Sequence, residues 1–140
     1  MSRIFWDANI FIYLLEGEGE RAGAAIRLRK AMRQRGDQLV TSALAIAEVL
    51  VKPSETGNEE LCARYEQTLT AETIVLAFGA AHMRRFAAIR QDRSIRAADA
   101  IHLACAAAAR TDLFVTGDAH LQGKHIEGIQ FIVPLERVPL

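Results

Sequence analysis

Four acidic residues interrupt the most apolar segments of this chain, so any fold that buries those segments must also accommodate the acids. The segments are I-F-W-D-A-N-I-F-I around Asp7, A-L-A-I-A-E-V-L-V around Glu48, A-A-D-A-I-H-L-A-C-A around Asp99, and L-F-V-T-G-D ending at Asp118. The other 13 of the 17 acidic residues lie in polar or terminal settings that favour a solvated surface. An ionised carboxylate among apolar side chains is costly unless a cation or strong hydrogen bonds compensate it. Four such exceptions predict one shared cation.

The apolar pattern predicts strands that alternate with helices. Strands are expected at 3–6, 39–41, 74–78, 113–116 and 130–133. Helices are expected at 9–15, 21–35, 43–52, 59–69, 80–90 and 96–110. We expect Pro53 to end the third helix and the strand 74–78 to be buried. This alternation is typical of an α/β fold in which helices flank a central parallel sheet.

The predicted positions of the four acids favour one pocket. Asp7 and Asp118 follow strands, and ligands of open parallel sheets bind beyond the carboxyl ends of the strands, where strand order reverses. Glu48 and Asp99 lie on helices and have apolar neighbours at helical spacing, which predicts that they point inward. Crowded carboxylates repel one another unless a cation is present. Oxygen ligands without paired cysteines or histidines favour Mg²⁺ or Mn²⁺, and these ions support phosphodiester hydrolysis.

Each acid also has a purely structural interpretation, and the sequence leaves both open. Asp7 and Asp118 could cap the turns that follow them. Asp99 could pair with Arg96, and Glu48 could accept a buried hydrogen bond.

Size and composition restrict the class of protein. A chain of 140 residues with 51% hydrophobic content is expected to form one domain over 1–140. The two cysteines, Cys62 and Cys105, lack the spacing of a zinc site or disulfide framework, which predicts a reducing, cytoplasmic location. No apolar segment reaches the roughly 18 residues of a membrane span, so no membrane partner is expected.

Basic residues concentrate in two segments although the net charge is zero. The segment 21–35 has six basic residues and no acid, and the segment 84–96 has five against Asp92 alone. Such stripes attract polyanions. They are equally compatible with the solvated faces of amphipathic helices.

Four motifs in this order resemble the PIN domain family, and within it the VapC-type toxins of bacterial toxin-antitoxin pairs. The motifs are W-D-A-N-I-F-I-Y-L-L (6–15), T-S-A-L-A-I-A-E-V (41–49), A-A-D-A-I-H-L-A-C-A (97–106) and V-T-G-D-A-H-L (115–121). The resemblance implies a three-layer α/β/α domain in which Asp7, Glu48, Asp99 and Asp118 bind Mg²⁺ or Mn²⁺ and cut RNA. It also implies a VapB-like antitoxin partner and a homodimer.

The resemblance further suggests Asn9 and Thr116 as supporting residues that position acids or water. Considered singly, Asn9 is better explained by the start of a helix and Thr116 by strand propensity. His102 and His120 lie near predicted acids, but a surface or hydrogen-bonded role is favoured over proton donation.

Rival functions fit less well. A haloacid dehalogenase-type hydrolase needs D-x-D after the first strand, where this chain has Asp7-Ala8-Asn9. A response-regulator receiver needs an acidic pair and a late lysine in places where the chain has neither. The alternative that stays open is a PIN-shaped module that binds RNA or a protein without cutting.

Overall fold

A five-stranded parallel sheet forms the centre of the computed structural model, which describes all 140 residues. The strands are β1 (Arg3–Trp6), β2 (Gln38–Ser42), β3 (Ile74–Leu76), β4 (Thr111–Val115) and β5 (Ile129–Val133). Their spatial order is β3-β2-β1-β4-β5, and every pairing is parallel. Chain order therefore reverses between β1 and β4, which is where a ligand crevice is expected in such a sheet.

Seven helices cover the two faces of the sheet. They are α1 (Ala8–Glu16), α2 (Glu20–Arg35), α3 (Ala43–Val49), α4 (Val51–Glu55), α5 (Glu59–Glu72), α6 (Met83–Ile89) and α7 (Ala97–Ala108). Short 3-10 turns lie at Ala80–His82 and Leu135–Arg137. The predicted three-layer α/β/α architecture with a central parallel sheet is confirmed.

The period of two along β1 divides the core. Trp6 packs with Phe11 and Met32 in the layer that includes α1, α2 and α3, whereas Phe5 packs with Leu103 and Phe114 in the layer that includes α6 and α7. The rings of Phe5 and Phe114 stack with centroids 4.6 Å apart. Because alternate side chains of one strand enter opposite cores, β1 is fixed in register at the centre of the sheet.

Two local predictions are wrong. Pro53 does not end a helix over 43–52: α3 ends at Val49, and Pro53 lies in the first turn of the next helix, Val51–Glu55. A proline is tolerated there because the first backbone N–H groups of a helix have no partner within the helix. The strand predicted as buried over 74–78 is the short edge strand β3, in which Ile74 is 46% exposed, because it has a neighbouring strand on one side only.

No helix of the structure is both long enough and apolar enough to cross a lipid bilayer.

Candidate metal centre

Asp7 lies directly after the central strand and begins α1. Its Oδ1 accepts a hydrogen bond from the backbone N–H of Ala8 at 2.8 Å, and its Oδ2 accepts one from the Thr116 hydroxyl at 2.7 Å. The residue is only 5% exposed, and this burial raises the pKa of the Asp7 carboxyl, while the Thr116 hydrogen bond opposes the increase. Asp7 is thus a desolvated carboxylate held in one orientation at the positive end of a helix.

Thr116 connects Asp7 to Asp118. The Thr116 hydroxyl, fully buried, donates to Asp7 and accepts the backbone N–H of Asp118 at 3.0 Å. Asn9 fixes the same loop from the other side, since its Oδ1 accepts the backbone N–H of Gly117 at 3.0 Å. A Cβ at Gly117 would lie 2.7 Å from the Tyr13 hydroxyl. The loop after β4 is therefore locked against α1.

Glu48 lies near the end of α3 and is paired with a buried histidine from α7. Its Oε1 lies 2.7 Å from Nε2 of His102, and Nδ1 of His102 lies 2.6 Å from the Ser42 hydroxyl. Ser42 accepts the backbone N–H of Ala45 and has no other acceptor for its own proton. The hydroxyl therefore donates to Nδ1, which places the ring proton on Nε2, facing Glu48. In this tautomer His102 orients Glu48 and does not offer Nε2 as a metal ligand.

Asp99 and Asp118 share one arginine. The Arg96 side chain donates from Nε to Oδ2 of Asp99 at 3.2 Å and from Nη2 to Oδ2 of Asp118 at 3.3 Å. The ion pair with Asp99, followed by the charge of Asp118, raises the pKa of the Arg96 guanidinium. Asp99 also lies in the first turn of α7, where the helix dipole favours a negative charge.

The structure brings all four predicted acids into one connected cluster. Thr116 joins Asp7 to Asp118, Arg96 joins Asp118 to Asp99, and His102 joins Glu48 to Asp7, with its Nε2 3.9 Å from Oδ1 of Asp7.

Burial differs among the four. Asp7 and Asp99 are buried, the Asp118 side chain is 18% exposed, and the Glu48 side chain is 39% exposed. The prediction that Glu48 points inward therefore holds only in part.

The structural interpretations of the four acids hold at the same time. Asp7 caps α1, Asp118 accepts the backbone N–H of His120 at 2.9 Å, Asp99 pairs with Arg96, and Glu48 has its hydrogen bond from a buried ring. These contacts hold four like charges in one place, and the guanidinium of Arg96 occupies the same Oδ2 atoms of Asp99 and Asp118 that a cation there would take.

The donor atoms fit a hard divalent cation. One carboxylate oxygen each from Asp7 and Glu48 and one ring nitrogen of His102 lie within 4.8 Å of one another, a group that does not include Asp99 or Asp118. With the ring proton on Nε2, the donors that stay available are carboxylate oxygens, which Mg²⁺ and Mn²⁺ prefer. Burial is the largest cause of the raised pKa of the Asp7 carboxyl, and the hydrogen bonds from Thr116 and Ala8 act in the opposite direction.

The sequence does not indicate that Ser42 belongs to the cluster. It indicates Arg96 only as a partner of Asp99 and His102 only as a surface or hydrogen-bonded residue. One signal was present, since His102 follows Asp99 by three residues and so lies on the same face of α7. The partners of His102 lie 54 and 60 residues away in the chain, so no local pattern indicates them.

Several arginines of the two basic segments form ion pairs that their sequence does not indicate. In the first segment, Arg29 and Arg33 both pair with Glu72, and Arg35 pairs with Asp37, whose side chain is only 3% exposed. Asp37 is thus a further covered acid, which its polar sequence setting did not indicate.

In the second segment, Arg96 pairs within the acidic cluster and Arg90 donates to the carbonyl oxygen of Ile95. Both segments are therefore partly compensated. Exposed basic residues without an ion pair include Arg27, Lys30, Arg84 and Arg93.

A sequence model of the PIN domain family matches residues 4–124, and the chain therefore belongs to the PIN domain family. No curated protein sequence matches it. Among solved structures, VapBC2 from Rickettsia felis, bound to a DNA fragment from its promoter, is similar at 14% identity with a TM-score of 0.74, over 94% of this chain and 98% of that one. A toxin-antitoxin complex from Klebsiella pneumoniae is similar at 22% identity with a TM-score of 0.65, over 90% and 94% of the two chains. FitAcB from Neisseria gonorrhoeae is similar at 20% identity with a TM-score of 0.68, over 84% and 88%. At these identities the likeness shows a shared fold.

Proposed function

We propose that this protein is a Mg²⁺- or Mn²⁺-dependent endoribonuclease and the toxin of a type II toxin-antitoxin pair. The observation that carries the proposal is the convergence of Asp7, Glu48, Asp99 and Asp118 at the point where strand order reverses. Membership of the PIN domain family supports the same reaction class. In this proposal the four acids are the metal ligands. Thr116 holds both Asp7 and Asp118 in place, and Asn9 holds the loop that leads to Asp118.

The chain supplies preorganised acids for such a reaction. Asp7 has its orientation fixed by two hydrogen bonds, and Glu48 has its carboxylate aimed by the buried ring of His102. A bound divalent ion would supply an activated water and stabilise the charge that develops on the phosphate. Preorganisation of the acids removes the cost of collecting them when that charge develops.

The test is RNA cleavage by the wild type and by Asp7→Asn and Asp99→Asn, each with Mg²⁺ and with EDTA. Asn keeps the size of the side chain but weakens metal ligation, so we expect cleavage to fall by roughly two orders of magnitude or more, with the fold retained. Circular dichroism checks the fold. Wild-type protein that binds RNA but never cuts it, with or without Mg²⁺, would establish the non-catalytic alternative. Cleavage by both variants at the wild-type rate would contradict a shared metal.

An antitoxin is the proposed partner because the similar structure from Klebsiella pneumoniae is a toxin-antitoxin complex and because the sequence motifs resemble VapC-type toxins. We expect an antitoxin segment to bring an arginine or lysine toward Asp7 and Asp99. Since Arg96 already pairs with Asp99, the charge left for this basic group is mainly that of Asp7 and Glu48.

An apolar groove beside α1 and α2 could receive the antitoxin's apolar side chains. It measures about 150 Å³, and its lining combines the apolar Phe11, Leu14, Leu15 and Leu69 with the ion-paired Arg29, Arg33 and Glu72. Binding there would combine steric with electrostatic inhibition.

The partner proposal is tested by coexpression with the product of the reading frame immediately upstream. We expect the two proteins to copurify, cleavage to stop, and inhibition to weaken when the basic residue of the partner is changed to alanine. A partner that protects a surface remote from Asp7 in hydrogen exchange would contradict the proposed mode. We further propose a homodimer in the cytoplasm, and light scattering of the purified protein measures its mass.

RNA attraction is assigned to the basic residues that lack an ion pair. An acidic pocket repels a phosphate backbone, so longer-range attraction must come from elsewhere on the surface. In the first basic segment Arg27 and Lys30 are exposed and outside any ion pair, unlike Arg29 and Arg33. We expect their contribution to be directed at phosphates and sensitive to salt.

A further inference from the structure

Arg96 occupies an unusual position, since its guanidinium bridges two of the proposed metal ligands. Its side chain is 77% exposed, whereas the side chains of Asp99 and Asp118 are 11% and 18% exposed. The two ion pairs are its only side-chain polar contacts. The arginine thus reaches into the cluster from solvent and is anchored by nothing except the two acids.

The bridge divides the cluster into two unlike halves. Asp99 and Asp118 share the positive charge of Arg96. Asp7 and Glu48 form no ion pair with an arginine or lysine, and their side-chain partners are the Thr116 hydroxyl and the ring of His102. The compensated half uses Oδ2 of both acids for its contacts with Arg96. A cation that took those oxygens would therefore have to displace the guanidinium.

We propose that Arg96 is an exchangeable counterion, bound to Asp99 and Asp118 in the metal-free protein and released to an RNA phosphate when a divalent cation takes the two acids. The inference rests on the proposed metal-dependent ribonuclease function and adds a named substrate contact to it. Exchange is possible because the arginine stem lies in solvent, so its release breaks no packing. The released group stays tethered at the start of α7, beside the cluster. A guanidinium binds phosphate through two parallel N–H groups, which suits it to the incoming backbone.

The first measurement is Mn²⁺ affinity by calorimetry on the full chain. Arg96→Gln removes the competing charge, and we expect Mn²⁺ to bind about five- to tenfold more tightly than to the wild type. Arg93→Gln is the matched control, because Arg93 is exposed, lies three residues away and makes no ion pair. It removes the same charge without opening the bridge, so its Mn²⁺ affinity should change less than twofold. Arg96→Lys keeps the charge but loses the two-pronged contact, and its Mn²⁺ affinity should lie between those of Arg96→Gln and Arg93→Gln.

The second measurement is RNA cleavage at saturating Mn²⁺. Arg96→Gln should then show a raised KM for RNA despite its tighter metal binding, whereas Arg64→Gln, an exposed arginine outside both basic segments, should behave as the wild type. Metal affinity in Arg96→Gln equal to that in Arg93→Gln would overturn the exchange, even where the wild type binds Mn²⁺ and cuts RNA. Tighter Mn²⁺ binding by Arg96→Gln with an unchanged KM for RNA would overturn the proposed contact between Arg96 and phosphate. A wild type that neither binds Mn²⁺ nor cuts RNA would overturn the proposed function itself. If Arg96→Gln does not fold, Arg96→Lys against Arg93→Gln decides the same question.

Discussion

Removal of the Thr116 hydroxyl is the most informative single change, because one buried atom connects two acids from both sides of the pocket. In Thr116→Val, the Asp7 carboxylate loses a donor at 2.7 Å, and the backbone N–H of Asp118 loses an acceptor at 3.0 Å. A hydrogen bond to a charged group contributes about 1.5 to 3 kcal/mol. The N–H of Asp118 is partly accessible to water, so its loss adds less, and the extra buried methyl group offsets about 0.8 kcal/mol.

We therefore expect Thr116→Val to lower the free energy of unfolding by about 2 kcal/mol at pH 7.5 in EDTA, a decrease of about 6 °C in Tm for a chain of this size. Thr116→Ser keeps the hydroxyl and should lose less than half as much. The control is Thr111→Val, since the Thr111 hydroxyl is equally buried but donates to the carbonyl oxygen of Ala106, away from the acids.

The pH dependence separates this role from simple packing. The Thr116 hydrogen bond lowers the pKa of the Asp7 carboxyl against the opposing effect of burial, so Thr116→Val should raise that pKa further. The acidic limb of the pH–rate profile should move to higher pH, and the stability penalty should shrink at acid pH, where Asp7 is protonated in both proteins. Thr111→Val should lose stability without moving the profile. A Thr116→Val protein with wild-type stability and an unmoved profile would refute the reasoning.

Three further outcomes are expected. Without metal, Asp7→Asn should be more stable than the wild type at pH 8, because burial raises the pKa of Asp7 and the ionised form of Asp7 costs stability above the folded-state pKa. The stability advantage should vanish as pH falls through that pKa. A variant less stable than the wild type at pH 8 in denaturant titrations would contradict this expectation. His102→Gln should weaken Mn²⁺ binding about tenfold in calorimetry, since a ligand then loses its orienting partner, and unchanged affinity would show that the ring is only core. Charge reversal at Arg27 together with Lys30 should weaken RNA binding and flatten its salt dependence. The comparison is Arg64→Glu, since Arg64 is also an exposed arginine on a helix. An unaltered salt slope would show that Arg27 and Lys30 belong to an ordinary solvated helix face.

The apolar periodicity of neighbouring residues predicted the fold and the positions of the acids in it. The alternating core contacts of β1, the apolar residues around Asp7 and the apolar run before Asp118 depend on residues adjacent in sequence, so periodicity predicts the strands and places both acids after strands. The apolar surroundings of Asp99 predicted its burial in the same way.

Local sequence patterns do not predict contacts between residues that are distant in the chain. The buried His102 obtains its role from Ser42 and Glu48, which reach it only once α3 and α7 pack over the sheet. Similarly, Glu72 neutralises arginines about 40 residues before it, so a segment that looks uniformly basic in sequence is partly compensated in the fold.

The succession of strands and helices along the chain, and the presence of acids in apolar surroundings, can be read from the amino-acid sequence. The partner of each acid depends on the packed fold: Asp7 has a hydroxyl, Glu48 has a buried ring, and Asp99 and Asp118 have one exposed arginine. The two kinds of information differ in their range along the chain. Backbone conformation and apolar periodicity follow from neighbours along the chain, whereas an ion pair depends on distances between side chains that only the packed fold brings together.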